Sequence, residues 1–429
     1  MGTTTKGTKL PPETLSSAAK NKRKILNDPV YGFITLRYDT VTDLIDHPWF
    51  QRLRRITQLG LSHLVYPGAL HNRFHHAIGA MHLMHRALDE IRKKGHTISD
   101  EEFKAATIAI LLHDVGHGPF SHALEHTIVS GITHEDISLM IMQRLNQEMG
   151  GELAMATEIF KGIYPKQFLH DLVSSQLDMD RLDYLRRDSF YSGVTEGQVG
   201  SERIIKMLNV HNDRLVVEEK GMYSIEKFIV ARRLMYWQVY LHKTVLSAEF
   251  MLVNVLRRAR KLAQDGQELF ASPALRRFLY TTHTRADFEN NPEVLNDFAR
   301  LDDYDILGAI KVWQHHPDRV LAMLCDRLVN RRLFKIRLRG EAFTADELAD
   351  YRNRIQDDLG LTDEELDYFF IHRSIDNRAY SKAAESITIQ YKDGTLKDAV
   401  QASDHLNLAA LSEVVEKHFV CYPEPGSNR

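Results

Sequence analysis

Residues 112–122 (LHDVGHGPFSH) bring three histidines and a carboxylate into eleven positions, directly after the apolar run Phe103 to Leu112 (FKAATIAILL). That run reads as a buried helix, so its end delivers the adjacent pair His113-Asp114 into the interior. A carboxylate taken out of water needs a cation or a dense set of hydrogen bonds. A metal centre supplies the first.

A second source of imidazole is His71-Asn72-Arg73-Phe74-His75-His76. At 100° per residue His76 falls on one stripe with Ala80, Leu83, Ala87 and Ile91, whereas His75 shares another face with His82 and Arg86. His76 is therefore expected to point inward. A lone histidine on an apolar face is more often a satisfied core residue than a ligand, but a second buried His-Asp pair shifts that balance. The third piece is Phe168 to Arg187 (FLHDLVSSQLDMDRLDYLRR), read as one helix with Asp180 in the middle of its apolar arc. Asp171 and Asp178 fall on the far side and read as solvated charges. The bland alternative for Asp180 is a salt bridge to a nearby arginine. Together His76, His113, Asp114 and Asp180 make an N/O donor set suited to Fe, Mn, Zn, Ni or Mg rather than to a thiolate-selected metal. Such an ion polarises a phosphoryl group and lowers the pKa of a bound water.

The elements that must position these groups are mostly helices. From Thr40 to about Leu262 the pattern is helical, interrupted by a β-ribbon at Arg214 to Glu218 with Asn212-Asp213 as its turn. Ile34 to Arg37 reads as a short strand, and 272–360 as helical again. Ser386 to Tyr391 alternates at period two ahead of the turn Lys392-Asp393-Gly394. Leu406 to Val420 reads as helix. Residues 1–20, polar and rich in Thr and Ser, are expected to be disordered. The net charge of −3 gives no whole-protein reason to expect nucleic acid as the main partner. Two cysteines cannot make a disulfide framework. No apolar stretch approaches the ~20 residues that span a bilayer. No membrane partner is expected, and the cytoplasm is the expected location.

The order His76…His113-Asp114…Asp180 resembles the H…HD…D signature of the HD-domain phosphohydrolases. The surrounding wording is more specific: Gln51-Arg52-Leu53-Arg54-Arg55-Ile56, Gln58-Leu59-Gly60, Pro67-Gly68-Ala69, His71-Asn72-Arg73-Phe74, His113 to His122 and Asp180-Arg181-Leu182-Asp183-Tyr184 resemble the deoxynucleoside triphosphate triphosphohydrolases. The resemblance covers roughly Lys24 to Lys335. It is to bacterial members, and no sterile-alpha-motif domain is expected. It implies a mainly α fold, with an HD-domain helical core over 21–270 and a C-terminal helical and α+β lobe with short strands over 271–429, packed on the core. It also implies one divalent metal per site, with Mg accompanying the nucleotide phosphates.

What the resemblance implies for single residues follows from the matching positions. Gln58 and Leu59 match the pair that senses the sugar. Arg73, His117, Arg181, Tyr184 and Asp188 match residues that line phosphates and sugar. Arg232, Tyr236 and Tyr240 recur at four-residue spacing on one helix, where Arg232 would meet phosphate and Tyr240 sugar or base; Tyr236 stands where the metazoan relative has histidine. For these arginines the bland reading is a solvated surface charge. His122 with Glu125 is the acid/base pair that would protonate the departing oxygen, and His134 a supporting histidine. The implied reaction is hydrolysis of a dNTP to deoxynucleoside and tripolyphosphate.

Lys24, Asp46, Gln51, Arg54, Arg331 and Lys335 resemble the family's activating guanine-nucleotide site between subunits. The implied partners are thus the dNTP substrate, GTP or a dNTP as activator, and a second copy of the chain in a dimer or tetramer. Lys206 and Ser224 depart from the neighbouring deoxynucleotide-activator pattern. The basic segment Arg327 to Arg339 can also be read as a solvated face or a secondary nucleic-acid contact. Two rival readings stand beside the first: an HD nucleotide phosphomonoesterase or phosphodiesterase, and a nucleotide or single-stranded nucleic-acid binding protein with little turnover.

Overall fold

The computed structural model of the protein describes residues 24–120, 127, 129, 131–377, 386–404 and 415–424. The N-terminal tail, His122 and Glu125 lie outside the described residues. The fold is mainly helical, with short strands gathered in three small sheets. No single helix among the described residues is long and apolar enough to cross a membrane.

Two long helices form the centre. α1 (Arg73–Lys93) starts from a reciprocal cap, in which the Asn72 side chain accepts from His75 N and His75 returns a contact to Asn72 N. Ala77, Ala80, Leu83, Met84, Ala87 and Ile91 are buried along it, so the stripe expected from its periodicity is its packed face. α2 (Asp100–Leu112) begins with the Ser99/Glu102 capping box and is buried on nearly every side beyond its first turn. A run apolar all round can only sit inside a layer of other helices. α3 (His134–Glu148) starts at the Thr133/Asp136 capping box. The expected Phe168–Arg187 helix is two helices: α4 (Gln167–Asp171) and α5 (Met179–Ser192). The break is made by Asp178, which caps α5 by accepting from Arg181 N and also accepts from Ser175 N.

That break overturns two expectations. Asp178 and Asp171 are not solvated charges; they are 1% and 4% exposed. Asp171 accepts from Arg214 Nε and Nη2 and from Leu215 N. The helical wheel failed here because the chain turns between the two aspartates, and each satisfies backbone or guanidinium donors that a continuous helix would not present.

The ribbon appears as expected in β4 (Arg214–Glu218), paired with β3 (Leu208–His211). Asn212 and Asp213 carry φ of 48° and 58°, the left-handed pair that a two-residue hairpin turn requires. β1 (Ile25–Asp28) and β2 (Gly32–Thr35) form a hairpin, so the strand expected over Ile34 to Arg37 ends two residues earlier. α6 (Met222–Met235) continues through a π-helical turn at Tyr236–Tyr240 and bends into α7 (Lys243–Gln264). α8 (Asp303–Trp313) and α9 (Arg319–Val329) follow. The sheet order is β3-β4-β7-β8, with β7 (Thr388–Gln390) inside the segment expected to be a strand and β8 (Leu396–Asp398) after it. The third sheet has order β5-β9-β6. Its middle strand β9 (Val415–Tyr422) corrects the end of the helix expected over Leu406 to Val420, whose earlier part, 406–414, lies outside the described residues. Val415, Phe419 and Val420 suited either period, and pairing with β5 (Lys335–Arg339) and β6 (Ile371–Asn377) on both edges decides for strand.

Candidate metal centre

His113 is the C-cap of α2, and Asp114 is the next residue. The loop they open is held rigidly. Ser138 Oγ on α3 donates to His113 O and accepts from Gly116 N. A Cβ on Gly116 would lie 2.3 Å from both His134 O and Ser138 N, so no larger residue fits there. Arg52, fully buried, donates through Nη2 to Val115 O at 2.8 Å and His117 O at 2.9 Å. Its Nη1 donates to Leu301 O at 3.0 Å. Burial pushes this guanidinium down to about 10, and carbonyl dipoles stand in for the carboxylate it lacks.

The expected ligands come together. His76 Nε2 lies 3.0 Å from Asp180 Oδ1 and 3.8 Å from Asp114 Oδ2. His113 Nε2 lies 3.4 Å from Asp114 Oδ1 and 3.5 Å from Asp180 Oδ1. His76, His113 and Asp114 are close enough to share one ion. Both Nε2 atoms are buried without a hydrogen-bond partner among the described residues.

The opposite ring nitrogens explain why. His76 Nδ1 donates to Asp183 Oδ2 at 2.8 Å, and His113 Nδ1 donates to Ile110 O at 2.6 Å. Each bond fixes the tautomer that leaves an Nε2 lone pair facing the carboxylates, the arrangement a metal-binding imidazole needs. A buried lone pair with no donor is costly, and a divalent cation at this focus would satisfy both. The donor set therefore fits a metal.

A layer of support that the sequence reading had not singled out lies behind His76. Asp183 accepts from Arg187 Nε and Nη2, and Arg187 Nη1 donates to Asp28 Oδ2 at 2.8 Å. Arg187 and Asp183 are both fully buried. The charge of Arg187 and the bond from His76 outweigh burial and hold the Asp183 carboxyl below its usual range. The available signal was spacing: Asp183 is three residues after Asp180 and four before Arg187 on α5.

Around the centre, Arg73 Nη1 donates to Asp114 Oδ2 at 2.7 Å. His117 Nε2 lies 3.2 Å from Asp114 Oδ1, and its ring stacks on His134 with centroids 3.8 Å apart. Burial, then the Arg73 charge, holds His117 well below the ordinary imidazole value. Gln58 sits beside this group because Gln58 N bonds His71 O and Arg73 N bonds Ile56 O. Gln58 Oε1 is buried with no partner among the described residues, and Leu59 follows it.

The arginines are not solvated surface charges. Arg73 and Arg232 are 7% and 8% exposed. Arg232 donates to Gln176 Oε1, and Arg181 Nε to Ser175 O. Tyr240 OH donates to Asp188 Oδ2, whose other oxygen bonds His71 Nε2. Asp188 is thus already engaged in fixing Tyr240. Tyr184 and Tyr236 each meet Tyr240 edge to face, at 6.1 and 5.2 Å.

Of the six residues expected at a regulatory site, four are linked. Lys24 pairs with Asp46 at 2.6 Å, and Gln51 accepts from Arg54 Nε while donating to Ile45 O. Arg331 and Lys335 are held elsewhere, by Leu64 O and Glu424.

Comparison with known proteins agrees with this geometry. Residues 73–188 match the HD domain family and residues 199–272 the HD associated region. The chain is 36% identical over 322 residues to the uncharacterized protein YwfO of Bacillus subtilis, covering 73% of this chain and 72% of that one. It is 31% identical over 271 residues to the deoxynucleoside triphosphate triphosphohydrolase SAMHD1 homolog of Dictyostelium discoideum, covering 59% of this chain and 52%, about half, of that relative. The crystal structure of a phosphohydrolase from Bacteroides thetaiotaomicron superposes with a TM-score of 0.91 at 55% identity, covering 94% of this chain and 100% of that one.

Proposed function

The chain belongs to the HD-domain phosphohydrolases, and on that premise we propose that it hydrolyses dNTPs to deoxynucleoside and tripolyphosphate. The observation that carries the reading is the pair of tautomer-fixed imidazoles, His76 and His113, which with Asp114 are close enough to share one ion and lie 3.0 and 3.5 Å from Asp180 Oδ1. The likeness to the Dictyostelium triphosphohydrolase homolog supports the substrate class. We assign the catalytic core to 21–270 and the packed lobe to 271–429.

His76, His113, Asp114 and Asp180 would hold one divalent ion, which when bound supplies Lewis-acid polarisation of a phosphoryl oxygen and a water of lowered pKa. The chain's own residues do the rest. Arg73, Arg181 and Arg232 neutralise the triphosphate; a planar guanidinium meets two phosphate oxygens at once. Gln58, with its buried and unpartnered Oε1, reads the sugar beside Leu59. Tyr184, Tyr236 and Tyr240 wall the sugar and base, and Asp188 orients Tyr240. Attack of water on the α-phosphorus breaks the bond to the sugar 5′-oxygen, which takes up one proton. We assign that proton to His122 with Glu125, and to His117 and His134 the support of the phosphate next to Asp114. Lys24, Asp46, Gln51, Arg54, Arg331 and Lys335 form the proposed activating guanine-nucleotide site, completed between two copies of the chain.

Product analysis tests the reading. Protein supplied with Mn²⁺ or Mg²⁺ should release tripolyphosphate and deoxynucleoside from at least one of the four dNTPs, with GTP present or absent. Orthophosphate or pyrophosphate as the first product would replace it with a phosphomonoesterase or phosphodiesterase. Asp180→Ala should lose both metal and turnover.

A further inference from the structure

The C-terminal half of α7 carries a group of cations that the proposed reaction does not use. Arg257, Arg260, Lys261 and Gln264 follow one another at helical spacing and line an open cavity of about 410 Å³, with Tyr368 as its wall. Among the described residues the only carboxylate lining it is Asp265.

The arginines of this helix are sorted by partner. Arg258, 5.4 Å from the centroid of the same Tyr368 ring, is neutralised by Asp318 at 2.5 Å. Arg257 bonds only a neutral acceptor, Asn254 Oδ1 at 2.9 Å, and lies over the Tyr368 ring at 5.4 Å. Arg260 likewise bonds neutral oxygens, Thr127 O and Thr282 Oγ1. Its Nε is buried with no acceptor among the described residues. Burial pushes the Arg260 guanidinium below its usual value. Lys261 is only loosely held, 3.4 Å from Glu364 and 3.8 Å from Asp265, both well exposed.

Two arginines at one cavity, bonded to neutral oxygens and without a carboxylate partner among the described residues, present positive charge to an entering anion. The guanidinium of Arg260 is fixed beforehand by its two oxygen acceptors, so little side-chain entropy is lost when an oxyanion arrives. We propose that this cavity is a second anion site, which takes a small phosphate-bearing polyanion on Arg257, Arg260 and Lys261. The occupant is small because the cationic stretch from Arg257 to Lys261 runs only ~6 Å along the helix axis. That is shorter than the track a single-stranded nucleic acid needs. It is larger than one phosphate because the cavity falls in the range of small-molecule sites, roughly 300–1,000 Å³. None of the residues lining the cavity is among those assigned to the reaction.

Tripolyphosphate is the probe, added to His113→Ala protein so that metal-dependent binding at the catalytic centre is removed, with affinity read by calorimetry. Binding should persist in this background and weaken with added salt. It should weaken by at least about tenfold in His113→Ala carrying Arg257→Gln and Lys261→Gln. Both added substitutions are on exposed side chains, and circular dichroism verifies the fold. Loss of all binding in His113→Ala alone would place the anion at the metal centre and overturn the proposal. Unchanged affinity in the triple variant would do the same. So would a single-stranded oligonucleotide that displaces the probe at lower concentration than inorganic pyrophosphate does.

Discussion

Gly79 lies so close to Asp183 that a Cβ at this position would be 2.1 Å from Asp183 Oδ1, and equally close to Arg187 Nη2. Helix α1 can deliver His76 to the centre, and α5 can deliver the carboxylate that orients it, only because no side chain intervenes one turn further along α1. Gly79→Ala should therefore push Asp183 off His76 Nδ1 and free the ring to change tautomer. Loss of such a supporting partner typically costs 10–100-fold in metal affinity. Metal content after dialysis against a graded chelator measures it. Asp183→Asn should show a loss of similar size without the steric clash, and retention of wild-type affinity in both variants would refute the orienting role.

Arg52 ties the loop after His113 to the C-terminal helices through the carbonyls of Val115, His117 and Leu301. Arg52→Met would fill much of the space but strand those oxygens, each at about 1–3 kcal/mol. The expected loss is about 3–5 kcal/mol in chemical denaturation. Arg52→Lys, with one nitrogen for several acceptors, should fall between. A change below about 1 kcal/mol would mean that water replaces the guanidinium without difficulty.

The residues proposed as ligands could be picked out because their signal is local. His76 announces itself by the stripe it shares with Ala80 and Leu83, and His113-Asp114 by the apolar helix that ends at Leu112. Asp180 was placed inward, but by the wrong argument: it sits in the first turn of a new helix, not midway along an old one. A capping aspartate and a solvated aspartate have the same wheel position, so Asp178 gave no warning. What the sequence could not display is long-range complementarity. Arg52 and Leu301, or Asp28 and Arg187, are 249 and 159 residues apart, and no periodicity relates them. Strand β9 was misread for the same reason, since its period is imposed by partners far along the chain.

Nucleotide-driven assembly is the sharpest test of the proposed regulatory site. The Lys24–Asp46 pair is about half exposed on both sides, and a pair of that kind contributes little to folding, about 0–1 kcal/mol. Asp46→Ala should leave melting behaviour and metal content alone while abolishing GTP-induced association in sedimentation velocity. An unchanged sedimentation profile with and without GTP in the wild type would remove the site from consideration.

Glu249 provides a pH test on a carboxyl outside the proposed ligand set. Its carboxyl faces the left-handed Gly60 and the Phe120 ring; a Cβ on Gly60 would be 3.8 Å from Glu249 Oε1 and 4.0 Å from the ring. Burial alone raises the carboxyl to about 7. The folded state thus holds a proton that the unfolded chain, titrating near 4.5, gives up sooner. Stability from this group is present below about pH 4.5 and is lost as pH rises through about 7. Glu249→Gln mimics the protonated form at every pH. Because the residue is only partly buried, the expected gain at pH 8 is discounted to about 1–3 kcal/mol, and it should vanish below pH 5. Denaturant titrations of both proteins at the two pH values decide it. A gain that is equal at pH 5 and pH 8 would show that the substitution acts through packing and not through the proton.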